Sequence, residues 1–187
     1  MARLIVKSPY IKCGAGQSAG GYLKYIATRE RVEIIPDDRP PTRKQEQLIA
    51  QINAIGDCFD QYSYLIVRSH DLPPYPEKYR TEEYLVKGCQ SKVWIHTAFP
   101  GGELRLDCDS DALILKGVLA ILRDLTEGAS ARELAALEWS FLDRTELGAT
   151  FTSARSAGMR RVLQTLHQDA QDALSAISQP KKTNIKS

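Results

Sequence analysis

Leu85–Trp94 reads L-V-K-G-C-Q-S-K-V-W, and the chain continues I-H-T-A-F-P-G-G-E-L-R-L-D-C to Cys108. A polar loop turns here into an apolar strand. Lys92–Phe99 alternates around Val93, Ile95 and Thr97, Pro100-Gly101-Gly102 makes a turn, and Leu104–Cys108 returns. Alternation on both sides of a short Gly-containing loop specifies a β-hairpin. Cys89 stands at its entrance, directly after Gly88 and between Lys87 and Lys92. Glycine permits a sharp turn there, and lysines close to the sulfur would favour a thiolate. On these residues alone Cys89 is a candidate nucleophile, with an inert small hydrophobe as the alternative.

Downstream the period changes from strand to helix. Asp109-Ser110-Asp111 precedes an apolar run, Ala112–Leu125, so Asp or Ser is expected to cap a central helix, with the paired acids suiting the positive end of its dipole. Gly128 ends it, and Ser130 with Glu133 forms a capping box for a short helix through Ala136. Phe141–Leu147 is expected to add one more turn. Met159, Val162, Leu163, Leu166, Ala170, Ala173, Leu174 and Ile177 then mark one face of a long helix, Ala154–Ile177. Beyond Gln179, Lys181, Lys182 and Lys186 mark a basic tail, 179–187, expected to be disordered.

Upstream, Leu72–Pro76 (L-P-P-Y-P) is held extended by its prolines. Glu77–Tyr84 is expected to contain a helical turn. Thr42–His70 carries a helical stripe of Leu48, Ile52, Ile55, Phe59, Tyr62 and Ile66, with a capping box at Thr42 and Gln45 and a break at Gly56. Cys58 lies beside the stripe and is expected to pack there. From Thr42 onward the order is helix, loop, hairpin, several helices. The fold class is α+β, with helices packed on a small antiparallel β-sheet.

The first forty residues differ. Arg3–Lys7 and Val32–Ile35 alternate like strands, Tyr22–Arg29 has a helical pattern, and Cys13–Gly21 is crowded with glycine. That glycine-rich segment lacks the lysine and hydroxyl ending of a phosphate-binding loop. Asp37–Pro41, D-D-R-P-P, is a clear break.

The chain has 187 residues, 43% of them hydrophobic, and a net charge of +2. That allows one ordinary domain with an appendage. Near-neutral charge argues against broad electrostatic binding of nucleic acid. Ala112–Leu122 is interrupted by Lys116 and too short to span a bilayer, and Met1–Val6 has no extended apolar core of the signal-peptide kind. A cytoplasmic location without membrane association is expected, with Cys13, Cys58, Cys89 and Cys108 all reduced. No C-x-x-C pair occurs, and His70, His96 and His167 are scattered, so no metal site is expected.

Several motifs in order resemble the SufE family of sulfur-acceptor proteins. They are Y-L-I (Tyr64–Ile66), L-P-P-Y-P-E-K-Y-R-T-E-E (Leu72–Glu83), V-K-G-C-Q-S-K-V-W (Val86–Trp94), D-S-D-A (Asp109–Ala112) and S-A-R-S-A-G-M (Ser153–Met159). The resemblance runs from about Ile55 to Leu174 and implies a SufE/IscU-like fold. It implies that Cys89 takes a sulfur from the persulfide of a pyridoxal-phosphate cysteine desulfurase (SufS-like) and passes it to an iron–sulfur scaffold complex. No cofactor of its own is implied, and a homodimer is compatible. Gly88, Gln90 and Ser91 would shape the cysteine loop. Asp109 and Asp111 match the family's D-S-D and either serve the site or only cap the helix. Arg155 matches an arginine before the last helix, for which the resemblance implies a part in meeting the desulfurase, with an exposed helix-start residue as the alternative. Ala154 and Ala157 stand where the family commonly has proline and asparagine, and Cys58 where tryptophan is common.

A second resemblance covers the N-terminus. S-P-Y-I-K (Ser8–Lys12) and Y-L-K-Y-I-A-T-R-E-R-V-E (Tyr22–Glu33) resemble the start of mobilisation-type relaxases, with Arg31 where that family usually has glycine. Such enzymes nick DNA with a tyrosine, here Tyr25 by position, and a metal held on histidines. No histidine precedes His70. The expected organisation is a relaxase-like remnant, 1–41, a SufE-like domain, 42–178, and the tail. The alternative function is a DNA-binding, relaxase-derived mobilisation protein. A cluster-assembling scaffold would need several cysteine ligands close together, which the spacing does not offer.

Overall fold

The structure is a computed structural model, described here for residues 39–148 and 153–178. All of these belong to the second of two compact units, Asp37–Ser187. The strands and helix expected in the first forty residues, and the tail after 178, lie outside the described residues.

The elements in order are α1 (Pro41–Asn53), α2 (Cys58–Arg68), β1 (Val93–Ala98), β2 (Arg105–Ser110), α3 (Leu113–Thr126), α4 (Ala131–Ala136) and α5 (Ser153–Ser178). Single 3₁₀ turns occur at Ser69–Asp71, Glu77–Tyr79 and Pro100–Gly102. β1 and β2 form an antiparallel hairpin in which Val93 faces Ser110, Ile95 faces Cys108 and Thr97 faces Leu106. Val93, Ile95, Leu106, Cys108 and Ser110 are all buried, so one face of the hairpin closes the core. Alternating side chains put Trp94, His96, Asp107 and Asp109 on the other face. The α+β class and the hairpin expected from the sequence are both present.

α3 is the central helix. Val118, Leu119, Ile121 and Leu122 are essentially inaccessible, because α3 lies against β2 on one side and α2 on another. This explains a broad apolar face, with Lys116, Arg123 and Asp124 confined to the remaining side. α2 approaches so closely that a Cβ on Gly117 would overlap the carbonyl oxygen of Leu65. The long last helix and the capping box of α4 follow the sequence reading. Ser130 Oγ accepts from the Glu133 amide, and the Glu133 carboxylate accepts from the Ser130 amide.

Several expectations are corrected. Thr42 and Gln45 do not cap α1. Pro40 is its N-cap, Pro41 occupies the first turn, and no side chain caps it. Gln45 is buried instead, donating to the Glu138 carbonyl and accepting from the Ser140 amide at 2.9 and 3.0 Å. Lys44 beside it donates to the carbonyl of Glu127, the residue that ends α3, where a helix terminus favours a cation.

The apolar stripe does not run through both helices. The break falls at Gly56 (φ 128°), and Asp57 starts α2 afresh by accepting from the Phe59 and Asp60 amides. The break resets the helical phase. Ile52 is buried, but Phe59 is 73% exposed, and α2 buries Gln61, Tyr64 and Leu65. Cys58, expected to pack, is exposed at the start of α2.

Asp109 and Asp111 do not cap α3 either. β2 continues through Ser110, and α3 begins at Leu113 after Ala112 with no side-chain cap. The turn expected at Phe141–Leu147 is present, with Phe141 and Leu147 fully buried.

No helix among the described residues is long and apolar enough to cross a membrane.

The contact at Gly117 yields a direct test. Alanine for glycine inside a helix ordinarily stabilises by about 1 kcal/mol. Gly117→Ala should instead destabilise by about 3 kcal/mol, because the methyl would push α2 away from α3. Urea unfolding measures this, and an unchanged or raised midpoint would contradict the packing.

Candidate functional site

The Cys89 loop is built by closing its neck. The Val86 amide donates to the Val93 carbonyl at 2.8 Å, and the Ile95 amide donates to the Tyr84 carbonyl at 2.9 Å. Tyr84–Val86 thus runs beside β1, with Leu85 bridged to Trp94. Between Val86 and Val93 the chain must turn back on itself. Gly88 takes φ 80°, a conformation open to glycine at no steric cost. The expectation that Gly88 makes the turn before the cysteine holds.

The far side of the neck is fixed through Lys92. Its amide donates to Asp111 Oδ1 at 2.9 Å, and its carbonyl accepts from Ser110 Oγ at 2.8 Å and the Asp111 amide at 3.2 Å. The three D-S-D residues therefore do different work. Asp111 and Ser110 hold the base of the loop. Asp109 faces outward, accepting from Arg80 at 2.8 Å and pairing with Lys116 at 2.9 Å. The Arg80 guanidinium lies over the rings of Trp94, 4.8 Å from its centroid, and Tyr75, at 5.3 Å. Burial works against a charged Asp109, but Lys116 and Arg80 outweigh it and hold the carboxyl below its usual range. Asp109 is thus a structural anchor for the segment before the loop and for α3.

Cys89 points inward, toward the first turns of α5. Its thiol donates to the Gly158 carbonyl at 3.4 Å, a distance proper to sulfur. Beside it is a niche of about 10 Å³, lined by Cys89 itself with Gln90, Ser91, Val93, Leu115, Gly158, Met159 and Val162. That is about the least space that admits one water. Val93, Met159 and Val162 are buried, Ser91 is half-buried and Gln90 is exposed. α5 approaches closely because residue 158 has no side chain. A Cβ on Gly158 would lie 3.3 Å from the sulfur.

Burial pushes the Cys89 thiol above its ordinary pKa, and Arg161 opposes that push. The charge acting on the sulfur is therefore Arg161 on α5, not Lys87 or Lys92 as the sequence suggested. Gly88 also touches Arg161, whose Nε lies 2.8 Å from where a Gly88 Cβ would stand. Gly158, Met159 and Arg161 were missed as site residues, because nothing in their spacing says which loop α5 covers. Arg155 lies in the first turn of α5, and its side chain is outside the described residues.

The other described cysteines are placed differently. Cys108 is buried in β2, its thiol directed at the Leu119 carbonyl at 3.8 Å and pushed up to about 12 by burial. Cys58 is exposed. Among the described residues no group of three or more His, Cys, Asp or Glu is arranged to hold a metal ion.

Known proteins resemble this chain in sequence and in fold. The model of the SufE family, described as an Fe-S metabolism associated domain, matches residues 46–170, and that of the MobL relaxases matches residues 1–68. A SufE-like protein of Rhizobium etli is 32% identical over 67% of this chain and 88% of its own length. The sulfur acceptor protein CsdE of Escherichia coli is 29% identical over 57% of this chain and 74% of its own. The cysteine desulfuration protein SufE of Wigglesworthia glossinidia brevipalpis is 26% identical over 68% of this chain and 90% of its own. A solution structure of a hypothetical protein from Thermus thermophilus superposes with a TM-score of 0.62 at 25% identity, covering 73% of this chain and 98% of the other. By its family match and its relatives, the chain belongs to the SufE family.

Proposed function

We propose that this protein is a sulfur acceptor for a cysteine desulfurase, with Cys89 as the sulfur-carrying residue. The observation that carries the reading is the placement of one thiol, on a loop with a fixed neck, in a niche without a second thiol among the described residues. Persulfide transfer needs one attacking thiolate and no resolving cysteine.

The step balances without an oxidant or reductant. Cys89 gives its proton to solvent. Its thiolate attacks the outer sulfur of the persulfide carried by the desulfurase. A sulfur–sulfur bond forms at Cys89 as the donor's breaks, and the donor's cysteine leaves as a thiolate with the electron pair. Pyridoxal phosphate stays with the desulfurase, of the SufS type in this proposal. A further thiolate, on an iron–sulfur scaffold complex, would take the sulfur by the same exchange.

The niche suits a resting state. A thiol held by the Gly158 carbonyl with raised pKa is a poor nucleophile. Between its neck contacts, the loop from Val86 to Val93 is held by the Cys89 thiol on the Gly158 carbonyl and by Arg161 against Gly88, and contact with a partner would draw it off these while the hairpin stays in place. Gly88, Gln90 and Ser91 would form the moving part, Ser110 and Asp111 its fixed base, and Arg155 a contact for the desulfurase. Asp109 would act one step removed, by bracing Arg80 and Lys116.

The MobL match supports taking residues 1–41 as a relaxase-like segment joined to an acceptor domain, 42–178, with a tail at 179–187. Residues 46–68, common to both matches, include the end of α1 and all of α2, and α2 packs on α3. This overlap belongs structurally with the acceptor domain.

Incubation with a cysteine desulfurase and cysteine, followed by mass spectrometry of peptides, tests the proposal. One added sulfur is expected on the Cys89 peptide and none in Cys89→Ser. An unmodified wild-type Cys89, with retention of single-stranded DNA instead, would overturn it.

A further inference from the structure

We propose that Arg161 is a positioning residue for the Cys89 sulfur, its guanidinium receiving the anionic forms of that sulfur as they leave the niche. The inference rests on the acceptor reading for its purpose, but its geometry stands apart.

Gly158 and Arg161 are three residues apart on α5 and so share a face. Gly158 supplies the carbonyl that holds the resting thiol. One turn along, the Arg161 side chain is packed against the backbone of Gly88, with Nε 2.8 Å and Cζ 2.9 Å from the position of a Gly88 Cβ. A guanidinium thus lies against the residue immediately preceding the cysteine.

Arg161 has no structural employment of its own among the described residues. Arg68 pairs with Asp71 and Asp124, Arg80 with Glu77 and Asp109, and Arg144 with Glu46. No carboxylate pairs with Arg161 there. Among the other charges near the loop, Asp111 is taken by the Lys92 amide and Lys116 by Asp109, and Arg160 faces a groove with Trp139 and His167. Lys87 and Lys92 are exposed, as Arg161 is, but the charge that acts on the Cys89 sulfur is that of Arg161.

The need for such a group follows from the chemistry. The Gly158 carbonyl can accept from a thiol but offers nothing to a thiolate, and their charges repel. A terminal persulfide sulfur at neutral pH is anionic too. Both require a donor, and Arg161 offers several in a fixed plane. Its charge also acts on Cys89 in the resting state, against burial.

The test uses the full chain with Arg161→Gln and Arg161→Lys. Alkylation of Cys89 by iodoacetamide is followed on its own peptide between about pH 6.5 and 10. For Arg161→Gln we expect alkylation slower than wild type by roughly threefold below the ionisation midpoint of the thiol, scaled to a surface charge pair. The curves should converge at high pH, where every thiol is ionised, and Arg161→Lys should retain most of the wild-type rate. Superimposable curves for wild type and Arg161→Gln would overturn the proposal, as would a slowing equal at every pH, which marks altered access rather than charge. No desulfurase enters this experiment. Failure of wild-type Cys89 to take up sulfur would unseat the acceptor reading, whereas superimposable curves unseat only the role of Arg161.

Discussion

The structure depends on how the two backbone groups of Lys92 are held. Its amide donates to Asp111 and its carbonyl accepts from Ser110 and Asp111, and that fixes where strand β1 begins and the cysteine loop ends. A loop of this size would otherwise sample many conformations, and ordering each residue costs about 1–2 kcal/mol. Tying both ends, through Val86 to Val93 and Lys92 to Ser110 and Asp111, confines the freedom to the segment around Gly88 and Cys89. The same three-residue run turns Asp109 outward, where Arg80 and Lys116 converge on it. One short motif thus joins the extended segment before the loop, the loop itself and the central helix.

The sulfur chemistry follows from where each thiol lies. Cys108 is locked into the core with its pKa pushed up to about 12, so it can neither attack nor resolve a disulfide without unfolding. Cys58 is open to solvent. Cys89 is intermediate: withdrawn enough that burial disfavours its thiolate, yet only part-buried and close to a guanidinium that opposes the effect of burial. A sulfur carrier has to be unreactive when alone and nucleophilic when engaged, and this placement is compatible with both.

Much of this was legible in the sequence because it depends on local period. The alternation of Val93, Ile95 and Thr97 and the return to Cys108 gave the hairpin, and the spacing from Met159 to Ala170 gave the last helix. Other readings failed where tertiary contacts override a local pattern. Asp109-Ser110-Asp111 looks like a helix start, but strand pairing with Val93 and Trp94 carries the first two residues into β2. The stripe from Leu48 to Ile66 is regular on paper, yet the break at Gly56 lets α2 present a different face. Thr42 and Gln45 have capping-box spacing, but Gln45 is drawn into the interior by Glu138 and Ser140, about ninety residues away. Arg161 was invisible for the same reason. Its importance arises only once α5 is laid across the Cys89 loop.

The central claim is that Cys89 rests withdrawn and is released by its partner. It is tested most directly by the alkylation rates of Cys89 and Cys58, read on separate peptides of the same molecule with and without a cysteine desulfurase. Cys58, exposed at the start of α2, serves as the internal reference. Cys89 is expected to react more slowly than Cys58 when the protein is alone, and the desulfurase to accelerate Cys89 while leaving Cys58 unchanged. A Cys89 that reacts as fast as Cys58 and is indifferent to the desulfurase would contradict the claim.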